Sequence, residues 1–273
     1  MPTGTVRVTV FGKTDLGRTR EHNEDTFLVA DLTARNASLQ PEVREHTLGP
    51  RGSLFMVADG MGGAAAGEIA SAMATDVIYS HLSDTWSRDP DMTPQRFSSR
   101  IREAVEQANQ RIHDYAAAHP EVRGMGTTAT VAGVLGDRLY LAQVGDSRGY
   151  LVRRGETTQL TRDQSLTQRL VEAGELTEEE AELSERRNII LQALGPETQV
   201  KVDLTFQKLS RGDTIILCSD GLSGQIRKEE IGELVMKHPD LVELAAELID
   251  IANTRGGPDN ITAVIARFDG DGL

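Results

Sequence analysis

Four acidic segments of this 273-residue chain follow one pattern: Asn23-Glu24-Asp25, Asp59-Gly60, Asp220-Gly221 and Gly256-Gly257-Pro258-Asp259-Asn260. Each sets a carboxylate at the end of an apolar run or beside glycines. A fifth, Gly145-Asp146-Ser147, falls between two alternating segments. Carboxylates with no Cys or His among them make the donor set of a hard divalent cation, Mg²⁺ or Mn²⁺. If they converge, their charge calls for one, because two unpaired carboxylates about 4 Å apart repel by about 1–4 kcal/mol at effective dielectrics of about 80 to 20. Taken singly, Asp-Gly and Gly-Asp are ordinary turn dipeptides, and Asp137 in Gly136-Asp137 reads as one. Composition and spacing leave the two readings level.

The elements that must position these groups are legible as periods. Leu54-Phe55-Met56-Val57-Ala58 and Thr214-Ile215-Ile216-Leu217-Cys218 are apolar runs too short for helices. Both read as buried strands, and both end in a carboxylate and a glycine. Alternation over 6–11 and a run at 26–30 give two earlier strands. Residues 31–52 read as a polar surface connector with some hairpin extension. Helical spacing covers 64–82, and a linker at 83–92 contains Trp86. Thr93-Pro94 then caps a second helix whose face carries Phe97, Ile101, Ala104, Val105, Ala108, Ile112 and Tyr115.

From Thr128 the period becomes two. Segments 128–135 and 138–144 flank Gly136-Asp137 as a tight hairpin, and 147–153 and 157–160 continue the meander. Short helices are expected at 164–173 and 177–185, the second opening on a capping box of Thr177 and Glu180. Strands at 204–209 and 213–218 precede a last helical region with Leu241, Leu244, Leu248 and Ile249 on one face. A strand at 262–268 closes the order. Strands in runs and helices in blocks predict an α+β fold of antiparallel sheets covered by helices, in one domain.

Composition narrows the function. A formal charge of −13 argues against nucleic acid or an anionic membrane as the main partner. A phosphorylated substrate remains compatible, since a metal supplies positive charge locally. The one cysteine, Cys218, lies in an apolar run and reads as a core residue, which fits a reducing compartment. No stretch approaches the roughly 20 apolar residues of a membrane span. Met1-Pro2-Thr3-Gly4 shows no signal pattern. A cytoplasmic protein is expected.

Six segments in order, Arg20-Glu21-His22-Asn23-Glu24-Asp25, Asp59-Gly60-Met61-Gly62-Gly63, Gly124-Met125-Gly126-Thr127-Thr128, Val144-Gly145-Asp146-Ser147-Arg148, Cys218-Ser219-Asp220-Gly221-Leu222 and Gly257-Pro258-Asp259-Asn260-Ile261-Thr262, resemble the motifs of the metal-dependent Ser/Thr protein phosphatases of the protein phosphatase 2C family. The resemblance spans residues 10–268 and is nearest to the bacterial single-domain type. It implies a central β-sandwich flanked by helices on both sides, with a phosphatase core over 6–268 of the 1–273 domain and a flap over 161–188.

By the same resemblance, Asp59 bridges two cations, Mn²⁺ or Mg²⁺, and the Gly60 carbonyl completes one shell. Asp220 and Asp259 hold one metal, Asp25 and Glu24 hold or orient ligands through water, and Asp146 with Asp220 forms a third, weaker site. Arg20 clamps the substrate phosphate, the alternative being a surface ion pair with Glu21 or Glu24. The implied reaction is hydrolysis of phosphoserine and phosphothreonine on proteins by a water bridging two cations, with no covalent intermediate. A monomer acting on phosphoproteins, among them a Ser/Thr kinase, is the expected setting.

Two residues depart from family variants. Met61 stands where many eukaryotic relatives place His, and a thioether has no proton to donate. Gln164 follows Asp163 where family members often carry His. Two rival readings are a phosphoprotein- or kinase-binding pseudo-phosphatase and a small-molecule phosphoesterase. Against the first, Asp25, Asp59, Asp220 and Asp259 are all present.

Overall fold

A strand buried on both faces needs apolar residues at every position, and one half-exposed needs them at alternate positions. Both patterns occur in the computed structural model, which describes residues 4–273. The absence of a targeting pattern at Met1-Pro2-Thr3 concerns residues outside that range. Chain order begins β1 (Arg7–Asp15), β2 (Asp25–Asp31), β3 (Asn36–Ser38), β4 (Arg44–Thr47), β5 (Ser53–Met61), α1 (Ala64–Thr85) and α2 (Pro94–Ala118). It continues through β6 (Gly126–Thr127), β7 (Ala129–Leu135), β8 (Arg138–Val144), β9 (Arg148–Arg153), β10 (Glu156–Gln159), α3 (Leu166–Glu172) and α4 (Glu178–Leu183). Last come β11 (Asp203–Lys208), β12 (Thr214–Cys218), α5 (Asp220–Ser223), α6 (Lys228–Lys237), α7 (Leu241–Thr254) and β13 (Ile261–Asp269).

One sheet runs β10-β9-β12-β13-β1-β4 and the other β11-β8-β7-β5-β2-β3, with β6 paired to β5. All pairings between strands are antiparallel. Phe55 and Val57 of β5 face Leu217 and Val264 across the sandwich. Met56 and Ala58 point the other way, toward Ala70, Ala74, Ile101 and Val105 of α1 and α2. In the opposite sheet Ile216 and Ile265 pack on Leu244 and Leu248 of α7. The layers are therefore helix, sheet, sheet, helix, as the α+β expectation has it. Both strands that end in Asp-Gly are buried on both faces, which is why their apolar runs are unbroken.

The 31–52 connector carries the expected hairpin extension, since β3 folds back on β2 through residues 32–35, while β4 joins β1 in the other sheet. Two local expectations change. Residues 83–92 are not merely a linker, because α1 continues to Thr85 and Trp86 is fully buried. Trp86 donates its indole N–H to the Arg51 carbonyl at 2.8 Å and meets Phe97 at 4.9 Å between ring centroids. A single aromatic has no period, so its burial left no trace in the pattern. The last helical region divides into α5, α6 and α7. No helix among the described residues is long and apolar enough to cross a membrane.

Trp86→Ala removes the largest fully buried side chain and its hydrogen bond. It is expected to lower unfolding free energy by about 3–5 kcal/mol, read from urea denaturation at unchanged slope.

Candidate active site

Strand register brings the first two carboxylates together. Asp25 opens β2 and Asp59 lies near the end of β5, and the two are direct cross-strand partners. Inward-facing Phe27 and Val57 are each two residues away, so alternation turns both carboxylates toward the opposite sheet. There Asp25 Oδ2 accepts hydrogen bonds from Ser219 Oγ and Thr262 Oγ1, both at 2.7 Å. The backbone of Asp59 is fixed from the other side. Thr128 Oγ1 accepts its N–H at 3.0 Å, and Thr127 Oγ1 donates to its carbonyl at 2.9 Å.

Asp220 is the first residue of α5, directly after β12, and Asp259 lies just before β13. Gly221 is forced by crowding, since a Cβ there would stand 2.0 Å from the Asn260 carbonyl oxygen. Asn260 ties the turn before β13 to the β1–β2 connector at three points: its Oδ1 accepts the Glu24 N–H at 2.9 Å, and its Nδ2 donates to the carbonyls of Leu16 and His22 at 3.0 Å. Gly60 is equally constrained, for its Cβ would meet the Gly67 carbonyl oxygen at 2.2 Å and that of Glu24 at 2.5 Å. The Glu24 carboxylate lies against Gly67 in the first turn of α1, where the helix presents positive charge.

Arg20 pairs with neither Glu21 nor Glu24. Its Nη2 reaches Asp259 Oδ2 at 2.7 Å, while about half of its side chain stays open to solvent. That bond, against some desolvation, raises its already high pKa. Asp146 follows β8, and its Oδ1 is buried without a hydrogen-bond partner. Arg148, two residues on, forks onto Asp163 with Nη2 to Oδ2 at 2.7 Å and Nε to Oδ1 at 3.1 Å.

These groups share one electrostatic field. Burial pushes Asp25 up to about 7, and the charges of Asp220 and Asp259 add to it, against the hydrogen bonds from Thr262 and Ser219. Burial raises Asp146 to about 8, with Asp220 next, and Asp220 to about 6, with Asp259 next. Asp59 is raised well above the ordinary carboxylate range by burial, then by Asp25, Asp220, Asp146 and Asp259. Glu24 is raised by burial and lowered by Arg20. Among the described residues no three His, Cys, Asp or Glu side chains stand as one ready-made shell. The carboxylates are gathered at one end of the sandwich and repel one another there.

The anticipated residues Glu24, Asp25, Asp59, Gly60, Asp146, Asp220 and Asp259 thus lie at that end, with Arg20 at its rim. Met61 ends β5 opposite Gly126, and His22 is exposed in its loop. Cys218 is fully buried, and burial pushes its thiol up to about 12, in keeping with a core role. The supporting polar residues Ser219, Thr262, Thr127, Thr128 and Asn260 stand in the sequence only as members of the same motifs. Their partners lie far off in sequence, so spacing gave no sign of these bonds.

Comparison with known proteins agrees with this geometry. The family profile described as Protein phosphatase 2C matches residues 35–266. The serine/threonine phosphatase stp of Listeria monocytogenes is 38% identical over 258 residues, covering 94% of each chain. The crystal structure of the Mycobacterium tuberculosis serine/threonine phosphatase PstP/Ppp superposes with a TM-score of 0.80 at 35% identity, covering 96% of this chain and 99% of that one. A structure of the PstP catalytic domain in complex with two manganese ions gives 0.78 at 35% identity, covering 97% and 100%. A profile matching most of the chain and a relative this similar over nearly its full length have one reading: the chain belongs to the protein phosphatase 2C family.

Proposed function

We infer that the chain hydrolyses phosphoserine and phosphothreonine monoesters on proteins, using Mn²⁺ or Mg²⁺ held by the carboxylates at the end of the sandwich. The observation that carries this reading is the gathering of Asp25, Asp59, Asp146 and Asp220, buried or half-buried, at one end of the sandwich, with Asp25 and Asp59 as cross-strand partners and Asp146 Oδ1 unpartnered. An all-oxygen donor set suits a hard cation, and the orphaned Oδ1 of Asp146 is a free ligand atom. Asp59 would hold both metals of a dinuclear pair, with the Gly60 carbonyl completing one shell and Asp220 and Asp259 on one of them. Asp25 and Glu24 would orient waters, and Asp146 with Asp220 would hold a third ion. Bound there, two cations neutralise phosphoryl charge and supply hydroxide at neutral pH.

The chain's own residues do the rest. Arg20 would present a planar fork to two phosphate oxygens, and its side chain, half open to solvent at the rim, is accessible for that role. Ser219 and Thr262 keep Asp25 aimed inward, and Thr127 and Thr128 hold Asp59 by its backbone. Met61 has no proton to give the leaving group. Residues 1–273 act as one phosphatase domain in this reading, with 161–188 as its flap. A monomer in the cytoplasm, opposing a Ser/Thr kinase, completes it.

Phosphate release from a phosphothreonine peptide in Mn²⁺ is the direct test. EDTA should abolish it, and Asp220→Asn should lower kcat by about a hundredfold or more. Turnover that survives both would overturn the metal reading, and no turnover of any phosphoester would favour a binding protein. Arg20→Lys keeps the charge but loses the fork, so KM for the phosphopeptide should rise by about tenfold with kcat changed less.

Linkage gives a further outcome. Asp25 and Asp146 have folded-state values above the ordinary carboxylate one, so their stabilising contribution is whole below about pH 4 and is lost as pH rises through about 7 to 8. In EDTA the melting temperature should therefore fall between pH 5 and 8.5. Asp146→Asn should raise it by about 2–4 °C at the upper pH and little at the lower. Mn²⁺ should stabilise the wild type more at pH 8.5 than at pH 5, with protons released on binding.

A further inference from the structure

We propose that Gln164 is a positioning residue, clamping the Gly145-Asp146 backbone to the neck of the 161–188 flap and so fixing where Asp146 stands in the cleft. The inference rests on the reading that Asp146 belongs to the phosphatase site.

A glutamine amide carries one acceptor and a two-hydrogen donor, and here every polar group of the residue is engaged. Oε1 accepts the Gly145 N–H at 2.9 Å. Nε2 donates to Asp203 Oδ2 at 2.9 Å and to the Lys201 carbonyl at 3.2 Å. The backbone N–H of Gln164 returns to the Gly145 carbonyl at 2.9 Å, so Gly145 is gripped through both of its own polar groups. The Gln164 carbonyl accepts the Leu191 N–H at 2.7 Å, and Leu166 N–H reaches the Ile189 carbonyl at 2.9 Å. A bridge between Ser165 and Ile190 completes a short ladder where the flap leaves the body.

Adjacent Asp163 holds Arg148 by its fork. Residues 163 and 164 therefore grip the chain on both sides of Asp146, at 145 and at 148. Gly145 adopts φ +100°, and Gln143 Nε2 also donates to its carbonyl at 3.1 Å and to that of Ser147 at 2.7 Å, so the Gly145 N–H is the group of this loop that Gln164 alone holds. Glutamine suits the position for a chemical reason. A glutamate would keep the acceptor for Gly145 but turn the outward donor into a like-charge contact with Asp203. An apolar side chain would abandon both ends.

The test compares Gln164→Met, Gln164→Glu and Asp203→Ala with wild type, in the full chain. Three quantities are read: exchange of the Gly145 amide by NMR, Mn²⁺ binding by calorimetry, and kcat and KM on a phosphothreonine peptide. Gln164→Met should speed Gly145 exchange and lower kcat, each by about fivefold or more, with KM held within about twofold and the weakest Mn²⁺ binding step lost or weakened. Gln164→Glu should retain Gly145 protection, and Asp203→Ala should leave both protection and kcat within about twofold of wild type. If Gln164→Met does not fold, Gln164→Asn, one methylene too short to carry its amide oxygen to the Gly145 N–H, is expected to shift exchange and kcat in the same direction.

Unchanged exchange and kcat in the folded variant would overturn the proposal. So would an equal loss in Asp203→Ala, which would place the effect in the flap neck alone. A wild type that releases no phosphate would sink the phosphatase reading instead, with the exchange comparison still deciding the clamp.

Discussion

Everything in this molecule is arranged around like charges placed where water is scarce. Asp25 and Asp146 are buried and Asp59 and Asp220 half-buried at one end of a sandwich, and the carboxyl pKa values there are raised by lost hydration and by neighbouring charge. Isolated buried carboxylates are too costly to leave uncompensated. The fold offsets the charge in pieces. Hydroxyls of Ser219 and Thr262 reach Asp25, the start of α1 faces Glu24, and Arg20 leans on Asp259 from the rim. None of these neutralises the centre, and the remaining imbalance is what gives a divalent cation its place.

The scaffold meets this demand with backbone more than with side chains. Asp25 and Asp59 are adjacent because β2 and β5 pair in that register, and a slip of one residue would point the two carboxylates to opposite faces of the sheet. Gly60 and Gly221 let main chain touch main chain at distances no side chain tolerates. Asn260 then ties the loops before β2 to the turn before β13. Precision at the site is inherited from the pairing of rigid strands, which is why its acidic residues sit at strand ends and not within mobile loops.

What could be read beforehand followed periodicity. The unbroken apolar runs of β5 and β12, the face of α2 and the Gly136-Asp137 hairpin are local patterns, and each lies where its period put it. The acidic motifs were legible as motifs, and their roles came from resemblance. Long-range matters were not legible. Nothing in residues 31–52 says that β3 and β4 belong to different sheets, and nothing near Trp86 announces its burial. Ser219 reaches Asp25 across 194 positions of chain, and Gln164 reaches Asp203 across 39. Such bonds belong to topology, which spacing along the chain does not encode.

The sheet order has a consequence in time. β13, last in chain order, lies in the middle of its sheet, between β12 and β1. While the protein is being synthesised, β1 therefore waits for its central neighbour until residues 261–269 have emerged. Thr262, which anchors Asp25, arrives on that same strand, and Asp259 arrives just before it. A nascent chain holding most of the acidic residues still lacks the insertion that brings them to order. Contacts this distant in sequence form late and slowly. The hydrolytic centre would then come into being in one closing event, so that truncated products of translation remain inert.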